Sequence, residues 1–338
     1  MHTKTAAAVL AGCALALVGC QGTHRQAEVK IDSGALAMFA PLPEVMASPD
    51  NLITEAKIDL GRALYFEKRL SKDNSVSCND CHDLNRYGAD TGNVSEGVGG
   101  ALGGRNSPTV YNAAGHVAQF WDGRAANVEE QAKGPILNPV EMAMPSDPAV
   151  MKVLAADAKY RAMFKAAFPD VANPMTYDNL GKAVGAFERK LVTPSRWDRF
   201  LQGEDSVLTS EEQAGFNTFV SVGCAACHNG AYVGGGTFQK AGAVNPWPDT
   251  SDVGREGVTH QAADRMVFKV PSLRNVERTG PYFHDGKVVS LDSALTTMAH
   301  AQLGKQLTPE QVGQITAWLK TLTGEIPTDY IASPGAGR

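Results

Sequence analysis

Two pentapeptides, Cys78-Asn79-Asp80-Cys81-His82 and Cys224-Ala225-Ala226-Cys227-His228, constrain this chain more than any other feature. Two thiols separated by two residues and followed at once by histidine form the pattern that attaches a c-type haem. Each thiol joins one haem vinyl group, and the imidazole reaches the iron as proximal ligand. A zinc site or a redox dithiol needs no histidine directly after the second cysteine, and both copies have one. The expectation is a fold built around two covalent c-type haems.

The remaining cysteines have separate uses. Cys13 lies inside an N-terminal targeting segment, in which Lys4 supplies the positive charge and Ala6 to Val18 the apolar stretch. That stretch is short for a bilayer span, and no later one is long and apolar enough. Leu17-Val18-Gly19-Cys20 resembles a bacterial lipobox, with Cys20 as the lipidated residue and Gln21 directing the protein to the outer membrane. Residues 1–20 therefore read as a lipoprotein signal peptide and 21–36 as a polar tether, with attachment to the membrane through lipid alone. No cysteine pair is left for a disulfide, although an exported compartment would permit one. The expected location is the periplasm.

The chain has 338 residues, 43% apolar and 20% charged, with a net charge of −5. This composition suits a globular protein of roughly two domains. It gives no support for nucleic-acid binding, which favours basic patches. Apolar periodicity predicts helices over Thr54–Phe66, Ala149–Phe168, Tyr177–Leu201, Thr209–Val222 and Thr308–Leu322. Thr209 with Glu212, and Thr308 with Gln311, have the spacing of capping boxes. Gly324 is expected to stop the last of these helices. Glycine runs at 97–104 and 234–236 read as loops.

The two halves share a second signature. Pro108-Thr109-Val110-Tyr111-Asn112 precedes Phe120-Trp121-Asp122-Gly123, and Pro271-Ser272-Leu273-Arg274-Asn275 precedes Phe283-His284-Asp285-Gly286. Proline to glycine spans 15 positions in each, with asparagine at the same offset. We read a duplicated haem-binding unit. Met298 follows Gly286 by 12 positions, and Pro135 follows Gly123 by the same 12. A thioether can bind iron as sixth ligand, whereas proline cannot. The second haem is thus expected to be closed by His228 and Met298, and the first, on His82, to have an open distal face.

Leu60-Gly61-Arg62-Ala63-Leu64-Tyr65-Phe66, Arg105-Asn106-Ser107-Pro108-Thr109, Gln119 to Ala125, Glu130 to Pro135, Phe268 to Asn275 and Tyr282 to Gly286 extend the pattern. With these runs the chain resembles the bacterial di-haem cytochrome c peroxidase family over almost all of the mature sequence. The resemblance implies a mainly α fold of two cytochrome-c-like haem domains related by internal duplication. These would be an N-terminal peroxidatic domain over 37–190 and a C-terminal electron-transfer domain over 191–328, whose last helix could pack back on the first. It further implies a homodimer that reduces hydrogen peroxide to water with electrons from a small periplasmic cytochrome c or cupredoxin. Glu141 would be the distal acid and base, Gln131 its neighbour in the peroxide pocket, and Trp121 a residue between the haems. A calcium ion would use Asn106 and the carbonyls of Thr279 and Pro281. His116, His260 and His300 are expected at the surface or partly buried, and His284 as a hydrogen-bonding residue of the interface.

One position departs from the family. Many relatives have a distal histidine in the loop after the first haem, and Val98 occupies that place here. The expectation is a first haem with no intrinsic sixth protein ligand. The competing readings are a di-haem electron carrier and a di-haem enzyme that oxidises residues of a partner protein. The second of these branches has tyrosine where Met298 stands.

Overall fold

The computed structural model describes residues 1–3 and 30–334. The signal segment, Cys20, His24 and most of the expected tether lie outside the described residues. Among the described residues nearly all the regular structure is helical, and a small sheet pairs Phe238–Lys240 antiparallel with Val267–Lys269.

Two apolar cores organise the chain. In the first, the Glu55–Tyr65 helix buries Ile58, Leu60, Ala63, Leu64 and Tyr65 against the Tyr177–Glu188 helix. Thr54 starts it by accepting from the Lys57 amide. A Cβ at Gly61 would meet the Ala183 carbonyl oxygen at 1.9 Å, so the crossing needs glycine. The second core repeats the device: Ser210–Val222 crosses Pro309–Lys320, and a Cβ at Gly215 would meet the Gln314 carbonyl oxygen at 2.0 Å. Both expected capping boxes form there, with Thr209 and Glu212, and Thr308 and Gln311, each bonded in both directions.

Three expected elements differ. The span 149–168 is two helices, Asp147–Ala156 and Ala158–Ala167. Asp157 ends the first and caps the second by accepting from the Lys159 amide. The span 177–201 also breaks: Tyr177–Glu188 ends before Pro194, and Arg196–Leu201 restarts behind a Ser195–Asp198 capping box. The last long helix ends at Lys320 with Thr321 as its cap, and Gly324 instead bridges to Ser195.

The chain ends cross over. Ala35, in the short Ser33–Leu36 helix, and Phe39 are buried in the second core, so the last residues of the expected tether are part of the fold. Ile331 and Tyr330, at the other end, pack on the first core, and Tyr330 stacks on Phe187 with ring centroids 5.2 Å apart. Two buried ion pairs secure the segment 42–46. Arg189 pairs with Glu129 and donates to the Met46 carbonyl; Arg274 pairs with Asp198, which accepts from the Leu42 amide.

The repeat asparagines meet at the junction of the cores. Asn112 and Asn275 are fully buried, both with φ of 61°, in the left-handed region that asparagine tolerates. Their Nδ2 groups both donate to the hydroxyl of Thr193, each at 2.9 Å. Asn112 Oδ1 accepts from the Thr193 amide and Asn275 Oδ1 from the Gly324 amide. Thr193→Val would leave two buried amide donors unpaired. The expected loss is about 2–6 kcal/mol, at roughly 1–3 kcal/mol for each orphaned group. It is to be read as a lower denaturation midpoint, with Thr193→Ser close to wild type.

Candidate functional site

Each haem motif opens on a cavity. The first, about 660 Å³, is bordered by Cys78, Cys81 and His82 and also by Gln131, Pro135 and Glu141. The second, about 240 Å³, is bordered by Cys224, Cys227, His228 and Met298. Pro135 and Met298, matched in the repeat, thus face equivalent spaces. Trp121 borders both cavities.

Both histidines of the motifs are prepared for a metal. Burial lowers the pKa of His82 and pushes that of His228 down to about 4, which favours the neutral, ligating imidazole. The carbonyls of Gly88 and Pro108 beside His82, and of Val233 and Pro271 beside His228, act in the opposite sense. Pro108 and Pro271 are the first residues of the two repeats, so the duplicated signature supports the proximal side. Neither Nδ1 has a well-formed hydrogen bond among the described residues. The four cysteines are unpaired, and burial pushes the thiols of Cys81 and Cys224 up to about 11. Among the described residues no three of His, Cys, Asp and Glu converge as a metal cluster. A pair of thiols with no third ligand beside it among the described residues does not make a zinc site, and thiols held protonated by burial do not suit a redox dithiol. They suit a group that brings its own iron.

Glu141 follows the Val128–Leu137 helix that holds Gln131. Its carboxyl is partly buried, and Oε2 has no hydrogen-bond partner among the described residues. Burial raises its pKa, while Arg124 and Asn138 pull it back. Arg124 was not singled out by sequence reasoning. Its guanidinium lies 3.4 Å from the Phe120 ring centroid and also borders the first cavity. The glycine loop is tied to the acid through its backbone, since the Val98 amide donates to the Glu141 carbonyl at 2.8 Å. The Val98 side chain packs against the first core.

Trp121 lies at the seam. Its indole donates to the Asn106 carbonyl at 2.9 Å, and its own carbonyl accepts from the Lys269 amide at 2.8 Å. Arg105 spans the same seam, paired with Asp122 on one side and with both carboxylate oxygens of Asp252 on the other. The His284 ring stacks on Phe268 at 4.3 Å and meets Trp121 edge-on at 6.4 Å. The hydrogen bond expected of His284 at the interface comes from its backbone, whose carbonyl accepts from the Asn106 amide. His116, expected at the surface or partly buried, borders the second cavity. His260 and His300 are exposed. Asn106, Thr279 and Pro281 all border the second cavity, and Asn106 Nδ2 is engaged with the carbonyls of Gly92 and Asn93. Its side-chain oxygen is the end left for a hard cation.

The di-haem cytochrome c peroxidase family model matches residues 55–206. The chain is 44% identical over 300 residues to cytochrome c551 peroxidase of Pseudomonas aeruginosa, covering 87% of this chain and 86% of that one. It is 43% identical over 298 residues to cytochrome c551 peroxidase of Nitrosomonas europaea, covering 87% of each. Among solved structures, a MauG-like protein associated with microbial copper homeostasis superposes with a TM-score of 0.74 at 29% identity, over 87% of this chain and 95% of that one. The chain belongs to the di-haem cytochrome c peroxidase family. It is a haem peroxidase with two haems, and its mainly helical fold is the family's.

Membership gives the cavity acid a clear test. Burial favours the neutral form of Glu141, so its carboxyl is expected to stay protonated above the usual carboxylate range and to ionise as pH rises further. Infrared difference spectra across a pH titration should show a protonated carboxyl band that Glu141→Gln removes.

Proposed function

We propose that this is a periplasmic peroxidase whose two haems divide the work, the first reducing hydrogen peroxide and the second receiving and storing electrons. The contrast between the cavities carries this reading. The first is lined by an acid with one unpartnered oxygen, an amide and, at the repeat position of Met298, a proline; the second is lined by a thioether as well as its histidine. Haem attached at each motif supplies a redox-active iron, held by Cys78, Cys81 and His82 or by Cys224, Cys227 and His228. Met298 would serve with His228 as a ligand of the second iron, which would favour its reduced state.

The protein's own groups then manage protons and position. Splitting peroxide requires a proton to leave one oxygen and arrive on the other, and one poised carboxyl serves both transfers. Glu141 takes that role: its carboxylate accepts the first proton and returns it to the leaving oxygen, its raised pKa strengthens it as a base, and Arg124 favours the ionised state in which it starts. Gln131 orients the substrate by hydrogen bonding. Trp121 bridges the two sites. A pure electron carrier has no use for an acid over an open metal face. A partner-oxidising enzyme is disfavoured by Met298 at the tyrosine position of that branch.

Val98 makes the first site differ from relatives that lock it with histidine. With no ligating side chain in the loop, the oxidised enzyme is ready for peroxide without prior reduction. The donor is a small cytochrome c or cupredoxin, and the enzyme works as a homodimer tethered to the outer membrane through Cys20. Calcium at Asn106, Thr279 and Pro281 stiffens the seam through oxygen ligands.

Two measurements test this reading. Electron paramagnetic resonance of the fully oxidised holoprotein should lack a low-spin bis-histidine signal from the first haem, and its presence would sink the open-site reading. Peroxide turnover with a reduced small cytochrome should start without a lag from the oxidised state. Glu141→Gln should lower it by about 10²–10⁴-fold, the range typical of a lost general acid–base. In the wild type, activity should rise as pH climbs through the raised pKa of Glu141, because the carboxylate must accept the first proton.

A further inference from the structure

Lys269 ends the second strand of the small sheet and is buried, with 8% of its surface exposed. The other buried cations have carboxylate partners: Arg189 has Glu129 and Arg274 has Asp198. Lys269 has none among the described residues. Burial alone acts on its charge and pushes its pKa down to about 8. The only side chain that meets its ammonium is His116, with Nδ1 3.2 Å from Nζ. Burial and the neighbouring ammonium hold His116 neutral, so it accepts at Nδ1 and carries its hydrogen on Nε2. That Nε2 is also buried without a partner.

Both residues border the second cavity and not the first. Two ammonium hydrogens therefore remain unmatched in a space where an uncompensated charge is strongly disfavoured. The missing partner is an anion, and it comes from whatever fills the cavity. A haem carries two propionate carboxylates. We propose that Lys269, steadied by His116, is the binding site for a propionate of the second haem. This rests on the second cavity being a haem site. A neutral histidine behind the ammonium supports the cation without competing for the carboxylate. A fixed positive charge on the propionate also stabilises the reduced haem, in the direction an electron store requires. The Lys269 amide donates to the Trp121 carbonyl, so the same residue fixes the haem edge relative to the seam.

The test uses purified holoprotein, with haem content counted first. Fewer than two haems per wild-type chain would defeat the underlying reading and not this one alone. With two present, Lys269→Met should shift the propionate-bending band in resonance Raman spectra. It should also lower the reduction equilibrium constant of the second haem about tenfold, or about 59 mV for one electron. The first haem should be unaffected. Lys269→Arg should restore both properties, and Lys269→Gln serves if methionine prevents folding. A wild-type band and potential in whichever neutral variant folds overturns the proposal. So does a lowered potential with an unchanged band, which would make Lys269 a distant charge and not a contact.

Discussion

The hydroxyl of Thr193 accepts one hydrogen bond from each half of the molecule, and the rest of the architecture is arranged around that shared oxygen. Asn112 and Asn275 reach it from equivalent points of the repeat, both through backbone that turns left-handed. Each asparagine follows its repeat proline by four positions, and that proline's carbonyl lies beside a proximal histidine. A displacement at the junction therefore carries directly to the proximal side of both cavities. The amide groups are buried and have no water to fall back on, so the geometry is enforced by the cost of leaving them unpaired. The crossed termini add to this, since each core is completed by chain from the opposite end.

On this near-symmetric frame the two cavities diverge through a few substitutions. Pro135 and Met298 stand in matching register, and only one of them can donate to a metal. The glycine loop supplies the first cavity with a backbone tie to Glu141 while the Val98 side chain turns to the core. Lys269 gives the second cavity a cation, whereas Arg124 gives one to the first from a more exposed position. Duplication supplies the proximal support twice, and the distal residues then set what each site can do.

The features readable in advance were those with local or periodic causes. The haem motifs, the repeat and the capping boxes at Thr209 and Thr308 all express chemistry within a few residues of chain. What was not readable came from contacts across long sequence distances. Asp157 divides an apolar run whose periodicity continues through it, because one side chain can cap the helix that follows. Pro194 marked a break, but the capping box after it was missed. His116 and Lys269 are 153 positions apart, and nothing near either suggests that they share a cavity. His284 was placed correctly at the interface but with the wrong interaction, since a ring flanked by Phe268 and Trp121 stacks and leaves the hydrogen bond to its backbone.

Trp121 shows why the seam needs this much definition. Its indole hydrogen is held by the Asn106 carbonyl, and its backbone by Lys269 from the second half of the chain. Arg105 clamps Asp252 with a two-point ion pair on one side and Asp122, the neighbour of Trp121, on the other. Planar two-point pairing fixes orientation as well as distance. Trp121, which with Phe120 lines both cavities, is therefore held from its ring, its backbone and its neighbour. Rearrangement at this contact would alter both cavities together, so the restraint on Trp121 keeps their relative placement constant.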